Sequence, residues 1–281
     1  MIDSIKIAAA STRVSQDVRE NGRHLRELMT QASEAGARLI HFPEGALSGY
    51  VKAQILDWKQ VDWCALRAEL DATADHARQL HLWTVFGCNH RLTPPNRPHN
   101  SLYVVSDEGA LIGRYDKRFC SNTEINDWYS PGFAPLIFEV DGFRFGTILC
   151  IEIFFPELFA EYERLRVDCV LFSTSSSSPT TTNLACAHAA VNNYWLSISQ
   201  WSQDDGDTAG LIGPDGRFLA RSSADGSASM ALGALNRADP SYDIPLNKAR
   251  PWRAKAKQGE IYEARRVNDP QSRERTSFLI P

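Results

Sequence analysis

The apolar runs of this chain change character twice along its length, and that order limits what it can fold into. Residues 4–10 form a run of strand length. Residues 15–36 then place Val18, Leu25, Leu28, Met29, Ala32 and Ala35 at helical spacing, with Gly36 as a stop. The unit repeats: a strand over 38–42 is halted by Pro43, and a helix over about 62–80 carries Leu66, Leu70, Ala74 and Ala77 on one face. A third strand follows at 82–87.

Between 101 and 149 the pattern becomes one of hairpins. Strands at 101–105 and 110–115 flank Ser106-Asp107-Glu108-Gly109. Strands at 136–140 and 143–149 flank Asp141-Gly142, a pair suited to a type I′ turn. Helix–strand alternation then returns. A helix over 156–166 opens on Pro156, which fits a first helical turn, and a strand covers 169–173. The Ser/Thr run 173–182 reads as a polar loop, followed by a helix at 182–194, a strand at 195–200, a turn at Pro214-Asp215-Gly216 and a last strand at 228–235. Parallel βα units combined with antiparallel hairpins predict mixed sheet, in one piece or two, with helices on the outside. No repeat of 20–50 residues recurs and no linker-like stretch interrupts the chain, so residues 1–281 read as a single domain. Within it, residues from about 240 to 281, rich in charge and Pro, form a tail against the surface or a partner.

Composition narrows the function. Lys and Arg number 30 against 34 Asp and Glu, for a net charge of -4, which lacks the basic surplus of a nucleic-acid binder. No apolar run approaches the roughly 18 residues that span a bilayer, and Met1-Ile2-Asp3-Ser4 lacks the layout of a signal peptide. The six cysteines contain no C-x-x-C pair, so zinc-ribbon and thioredoxin-like sites are not expected. Scattered thiols without a signal segment fit the reducing cytoplasm.

Three segments offer chemistry. Glu44, in His41-Phe42-Pro43-Glu44-Gly45, lies just past a strand end, where α/β proteins collect their sites; alone it could equally be a solvated loop carboxylate. Lys117 ends a hairpin strand and alone could be an exposed charge. Cys150 sits where an apolar strand turns toward a helix, a geometry that can present a thiol and backbone N–H groups to a pocket. Alone it could be a buried structural thiol. A free thiol needs a base or a cation at hand to attack at neutral pH, and a glutamate and a lysine supply one of each. His188 with Asn192 offers a weaker, papain-like partnership, although both fall on one predicted helix.

FPEGALSGY (42–50), GRYDK (113–117) and ILCIEIFFPE (148–157), in this order and spacing, resemble the nitrilase superfamily of carbon–nitrogen hydrolases, in particular its amidase and carbamoylase branches. The later GLIGPDG (210–216) resembles that family's hairpin more weakly. The resemblance implies a four-layer α-β-β-α sandwich of two mixed sheets and a Glu44-Lys117-Cys150 triad working without cofactor or metal. It assigns Glu124 as a second glutamate and the Ile151 N–H as an oxyanion donor. It further implies a homodimer or higher homo-oligomer, joined through the helix after Cys150 and the tail after Asp239, where Phe155, Leu158, Phe159, Tyr162 and Leu165 offer apolar surface. The expected reaction is hydrolysis of a C–N bond in a small amide or N-carbamoyl compound through a thioacyl intermediate, with no nucleic-acid or membrane partner. Nitrile hydrolysis is the alternative, because Glu152 resembles the Cys-aromatic-Glu pattern of true nitrilases. A catalytically silent binding subunit is the second, should the 173–182 loop block the pocket.

Overall fold

The computed structural model describes residues 3–176, 178–203, 208–276 and 278. Ser177 of the Ser/Thr run and the last part of the expected tail fall outside that set. The strands are β1 (Ser4–Thr12), β2 (Leu39–His41), β3 (Trp83–His90), β4 (His99–Val105), β5 (Leu111–Asp116), β6 (Ile137–Val140), β7 (Phe143–Leu149), β8 (Cys169–Thr174), β9 (Trp195–Trp201), β10 (Gly210–Ile212), β11 (Phe218–Arg221) and β12 (Ser229–Asn236). The longer helices are α1 (Val18–Glu34), α2 (Trp63–Leu80), α3 (Pro156–Arg164), α4 (Pro179–Asn192) and α5 (Arg250–Lys257).

One half of the sheet runs β5-β4-β3-β2-β1 with β12 on β1's other side; the second half runs β6-β7-β8-β9-β10-β11. Strands fed by helical crossovers pair in parallel (β1 with β2, β2 with β3, β7 with β8, β8 with β9), and the hairpins pair antiparallel. The two halves are not separate. Ser11 and Thr12 at the end of β1 pair with Gln200 and Trp201 at the end of β9, so a short seam joins them into one sheet.

Three apolar layers explain the sandwich. Between the sheet halves lie Ile7, Leu39, Val104 and Tyr115 from one side and Phe145, Leu149, Leu171 and Trp195 from the other. Outside the first half, α1 and α2 bury Leu25, Leu28, Met29, Leu66 and Ala77 against Ala8, Ile40 and Phe86. Outside the second, Leu158, Phe159 and Tyr162 of α3 and Ala185 and Ala189 of α4 cover Ile148, Val170 and Ile198. Alternate residues of the central strands thus face opposite apolar layers, which is why their sequences read as continuous apolar runs. The architecture is the α-β-β-α sandwich. Among the described residues no helix is long and apolar enough to cross a membrane.

Local chemistry sets the helix ends. The Asp17 carboxylate accepts from Arg19 N at the start of α1, and Asp62 accepts from Cys64 N and Ala65 N at the start of α2. Asp141 and Gly142 both adopt positive φ, as the type I′ turn requires. Two sequence expectations need correction. The Ser/Thr run is only briefly a loop: β8 extends through Thr174 and α4 starts at Pro179, with Ser173, Thr174, Thr181 and Thr182 buried. Ser173 Oγ donates to Phe42 O and Thr174 Oγ1 accepts from Ser176 N, so polarity did not keep these two at the surface. The apolar residues of α3 are likewise no surplus for a partner, because Leu158, Phe159 and Tyr162 fill this chain's own core. Part of α3's remaining surface is met by the tail: Lys257 Nζ pairs with Glu163 at 2.9 Å, and Arg250 donates to the Val167 carbonyl at 2.6 Å.

Gly87 fixes the seat of the loop after β2. Phe42 N donates to Val85 O, Gly87 N to Pro43 O and Leu47 N to Gly87 O, which lays residues 42–47 flat against β3. A Cβ on Gly87 would fall inside contact distance of Pro43 O and Gly45 N and 2.8 Å from Glu44 C. Because these are backbone atoms, Gly87→Ala should lower unfolding free energy by about 1–3 kcal/mol. Urea denaturation checks this, and an unchanged midpoint would contradict the seating.

Candidate active site

The strands β2, β7, β8 and β9 all end at one edge of the sandwich, and β5 delivers its last residues to the same place. Glu44 follows β2 through Pro43 and is fully buried. Its Oε1 accepts from Lys117 Nζ at 3.0 Å and Asn100 Nδ2 at 2.8 Å, and its Oε2 accepts from Ser175 N at 3.2 Å. Trp201, closing β9, donates its indole N–H to the Glu44 carbonyl at 2.7 Å. Lys117 follows β5 and is 1% exposed. Its backbone is held by Asn100 O and Gly132 N, both at 2.8 Å. Its Nζ donates to Glu124 Oε1 and Oε2 at 2.8 and 2.9 Å.

Glu124 belongs to a short π-helical turn, Glu124–Trp128, inside the stretch that the sequence presents as irregular. Tyr50 Oη and Ser121 N donate to its carboxylate at 2.9 and 2.7 Å. One lysine thus lies between two buried carboxylates. Burial works against the charge on Lys117, but Glu44, the sulfur of Cys150 and Glu124 outweigh it and hold the ammonium well above its ordinary range. Burial likewise opposes ionisation of Glu124, and Lys117 overcomes it, with Ser121 and Tyr50 assisting, so that carboxyl is held below its usual value.

Cys150 opens a 3-10 turn, Cys150–Phe154, directly after β7. Its φ of 47° lies in the left-handed region, a strained conformation for a residue with a side chain. The residue keeps partial exposure, and its Sγ lies 3.9 Å from Ser175 Oγ. Burial of the sulfur is the main cause that pushes the thiol up to about 11. The Glu44 charge adds to it, while Lys117 and a hydrogen bond with Thr174 act the other way. Ile151, the second residue of the turn, is where a backbone N–H has no carbonyl to receive it within the turn.

The structure therefore brings Glu44, Lys117, Glu124 and Cys150 to one edge. Asn100, Tyr50, Ser175 and Trp201 join them, although the sequence analysis did not single them out. Tyr50 closes the FPEGALSGY segment, so its signal was present. Asn100 had none, being an unremarkable residue at the start of β4. His188 and Asn192 form no catalytic pair: His188 Nε2 donates to Ile153 O at 3.0 Å while its ring stacks on Phe159, and Asn192 Nδ2 donates to the His188 backbone carbonyl. Glu152 is fully buried and engaged by backbone N–H groups and Tyr115.

The sequence matches the carbon-nitrogen hydrolase family model over residues 6–239. The chain belongs to that family. It is 30% identical over 168 residues to a glutamine-dependent NAD(+) synthetase of Acinetobacter baylyi, covering 57% of this chain and 29% of that protein. It is 26% identical over 144 residues to the corresponding synthetase of Aquifex aeolicus, covering 50% and 24%. The chain thus spans less than a third of the length of the curated relatives it matches. Among solved structures, an amidase from Nesterenkonia sp. superposes with a TM-score of 0.74 at 22% identity, covering 90% of this chain and 98% of the other. The amidase from Nesterenkonia sp. AN1 solved with butyramide gives the same TM-score at 21% identity, covering 89% and 96%.

Removing the lysine should expose what it holds. Lys117→Met leaves two carboxylates buried without their cation and should cost about 3–5 kcal/mol at pH 7. Glu124, with its depressed pKa, stabilises the fold above its unfolded value and loses that contribution as pH falls. Lys117, with its raised pKa, keeps its contribution until pH rises past its folded value. The stability gap between wild type and variant should therefore hold near neutrality and narrow in acid. Denaturant curves from pH 3 to 8 test this, and a gap widening in acid would contradict it.

Proposed function

We propose that this hydrolase cleaves a small amide or N-carbamoyl compound through a thioester on Cys150, with Glu44 as general base and acid and Lys117 as the cation beside the oxyanion. The observation that carries the reading is a cysteine on a strained elbow beside a buried Glu44–Lys117–Glu124 triplet. The triplet carries one net negative charge, and that charge disfavours a standing thiolate. The thiol is therefore neutral at rest, and its proton leaves only as it attacks.

The steps follow from these positions. Glu44 Oε2, the oxygen not committed to Lys117, takes the Sγ proton as sulfur bonds to the carbonyl carbon. The carbonyl oxygen becomes an anion, stabilised by Lys117 and the Ile151 N–H. Collapse breaks the C–N bond, and the amine leaves with the proton returned by Glu44. A water molecule deprotonated by Glu44 then attacks the thioester, releasing the acid and the thiol. Glu124 keeps Lys117 charged and fixed throughout.

An amide substrate is supported by what similar proteins are solved with. The Nesterenkonia amidase carries butyramide in one structure, and in another the acetamide moiety of fluoroacetamide is covalently added at its active-site cysteine. The names of the curated relatives also specify glutamine, a primary amide. The six cysteines are free thiols, which supports a reducing, cytoplasmic setting. Assembly as a homodimer follows the resemblance to the family.

The test is ammonia release from the purified 281-residue chain over matched amides, N-carbamoyl amino acids and nitriles. Amides or carbamoyl compounds should turn over, and Cys150→Ala should reduce that rate at least about 10³-fold. Fluoroacetamide, losing fluoride as the C–S bond forms, should label the Cys150 peptide rather than the exposed Cys64. Turnover of nitriles alone, or a Cys150→Ala variant as fast as wild type, would overturn the reading.

A further inference from the structure

Among the described residues, Glu152 is the one fully buried carboxylate near the site that the chemistry above does not use. Its Oε1 accepts from Arg118 N at 2.7 Å and Phe119 N at 3.0 Å, the two residues directly after Lys117. Its Oε2 accepts from Leu149 N at 2.8 Å, the residue directly before Cys150. Tyr115 Oη, two residues before Lys117, reaches both oxygens at 2.8 Å. These partners are backbone amides and a phenol, with no cation among them. A buried carboxylate without a direct counter-ion costs stability, so packing alone does not account for it.

We propose that Glu152 is a positioning residue that sets the distance between Lys117 and Cys150, clamping the chain on both sides of the lysine to the strand that ends at the nucleophile. This rests on the roles given to Lys117 and Cys150 above. The geometry requires two acceptor oxygens at once. A glutamine must place its NH₂ against either Leu149 N–H or the pair Arg118 N–H and Phe119 N–H, and so must break one side of the clamp. An aspartate is one methylene shorter and cannot span both sides equally. Loss of the clamp leaves Glu44, Lys117 and Glu124 paired, while the elbow is freed to drift from the cation. Substrate binding should change little, whereas oxyanion stabilisation, made only in the transition state, should suffer.

The experiment compares kcat and KM of wild type, Glu152→Gln, Glu152→Asp and Tyr115→Phe on one amide, with circular dichroism to confirm folding. Glu152→Gln should lower kcat about 10–100-fold with KM within about 3-fold. Glu152→Asp should recover part of that loss. Tyr115→Phe, which leaves the backbone clamp intact, should lower kcat by less than Glu152→Gln but by about 3-fold or more. A purely structural role would reduce the folded fraction while leaving kcat of the folded protein unchanged. Folded Glu152→Gln with kcat within about 2-fold of wild type would therefore overturn the proposal. Should that variant fail to fold, a folded Glu152→Asp with kcat within about 2-fold of wild type would do so. Cys150→Ala run alongside separates the two readings: activity surviving there removes the catalytic assignment itself, not only the clamp.

Discussion

A lysine held at 3.0 Å from Glu44 and 2.8 Å from Glu124, out of contact with solvent, sets conditions on everything around it. Its carboxylates come from a loop after β2 and from a π-helical turn, and the lysine itself from the end of β5. No single element can assemble the three, so the pairing forms only once the sheet has brought these ends together. Desolvating three charges is expensive, and the remaining lone pairs are satisfied to offset it: Asn100, Tyr50, Ser121 and Ser175 each give a donor. The tight loop seat on Gly87 and the β1–β9 seam serve the same end, since both fix the backbone from which Glu44 and its partners project.

The charge sum of that cluster shapes the Cys150 thiol. A lone lysine beside Cys150 would favour a thiolate, but two carboxylates make the surroundings net negative. Burial and Glu44 together push the thiol up to about 11, and Lys117 and Thr174 offset only part of it. The sulfur is thus kept protonated near neutral pH, which limits alkylation and oxidation of a partly exposed cysteine. The left-handed backbone at Cys150 belongs to the same arrangement, because the elbow lifts the thiol out of the β7 line toward Ser175.

Much of this was legible in the sequence. The alternation of βα units and hairpins gave every strand from β1 to β9 within a few residues, because apolar period and turn chemistry are local signals. The FPEGALSGY, GRYDK and ILCIEIFFPE segments pointed to Glu44, Lys117 and Cys150, each at a strand end. What stayed hidden depends on long-range placement. Asn100 reaches Glu44 across 56 residues of chain, and no periodicity records that. The π-helical turn that carries Glu124 has no sequence period to recognise, so that residue was named only through the family resemblance. For Glu152 the residue type and the offset from Cys150 are visible in sequence, but the direction it faces is not.

The Ser/Thr run shows the same limit from the other side. Polarity suggested a solvated loop, yet the hydroxyls are arranged to feed the chain's own donors. Ser176 N donates to Thr174 Oγ1, Ser178 N to Ser176 Oγ and Thr180 N to Ser178 Oγ, a two-residue step that carries the chain from β8 into the cap of α4. Below it, Ser173 donates to Phe42 O and therefore receives the Nε2–H of His41, leaving Nδ1 to accept from Ser197. Burial lowers the His41 pKa to about 3, so this link between the sheet halves is neutral across the physiological range. A neutral link is what the site needs there, since a second cation under Glu44 would compete with Lys117 for it. Hydroxyls rather than larger polar groups let β8 approach β2 closely, and that approach carries the Ser175 N–H to Glu44.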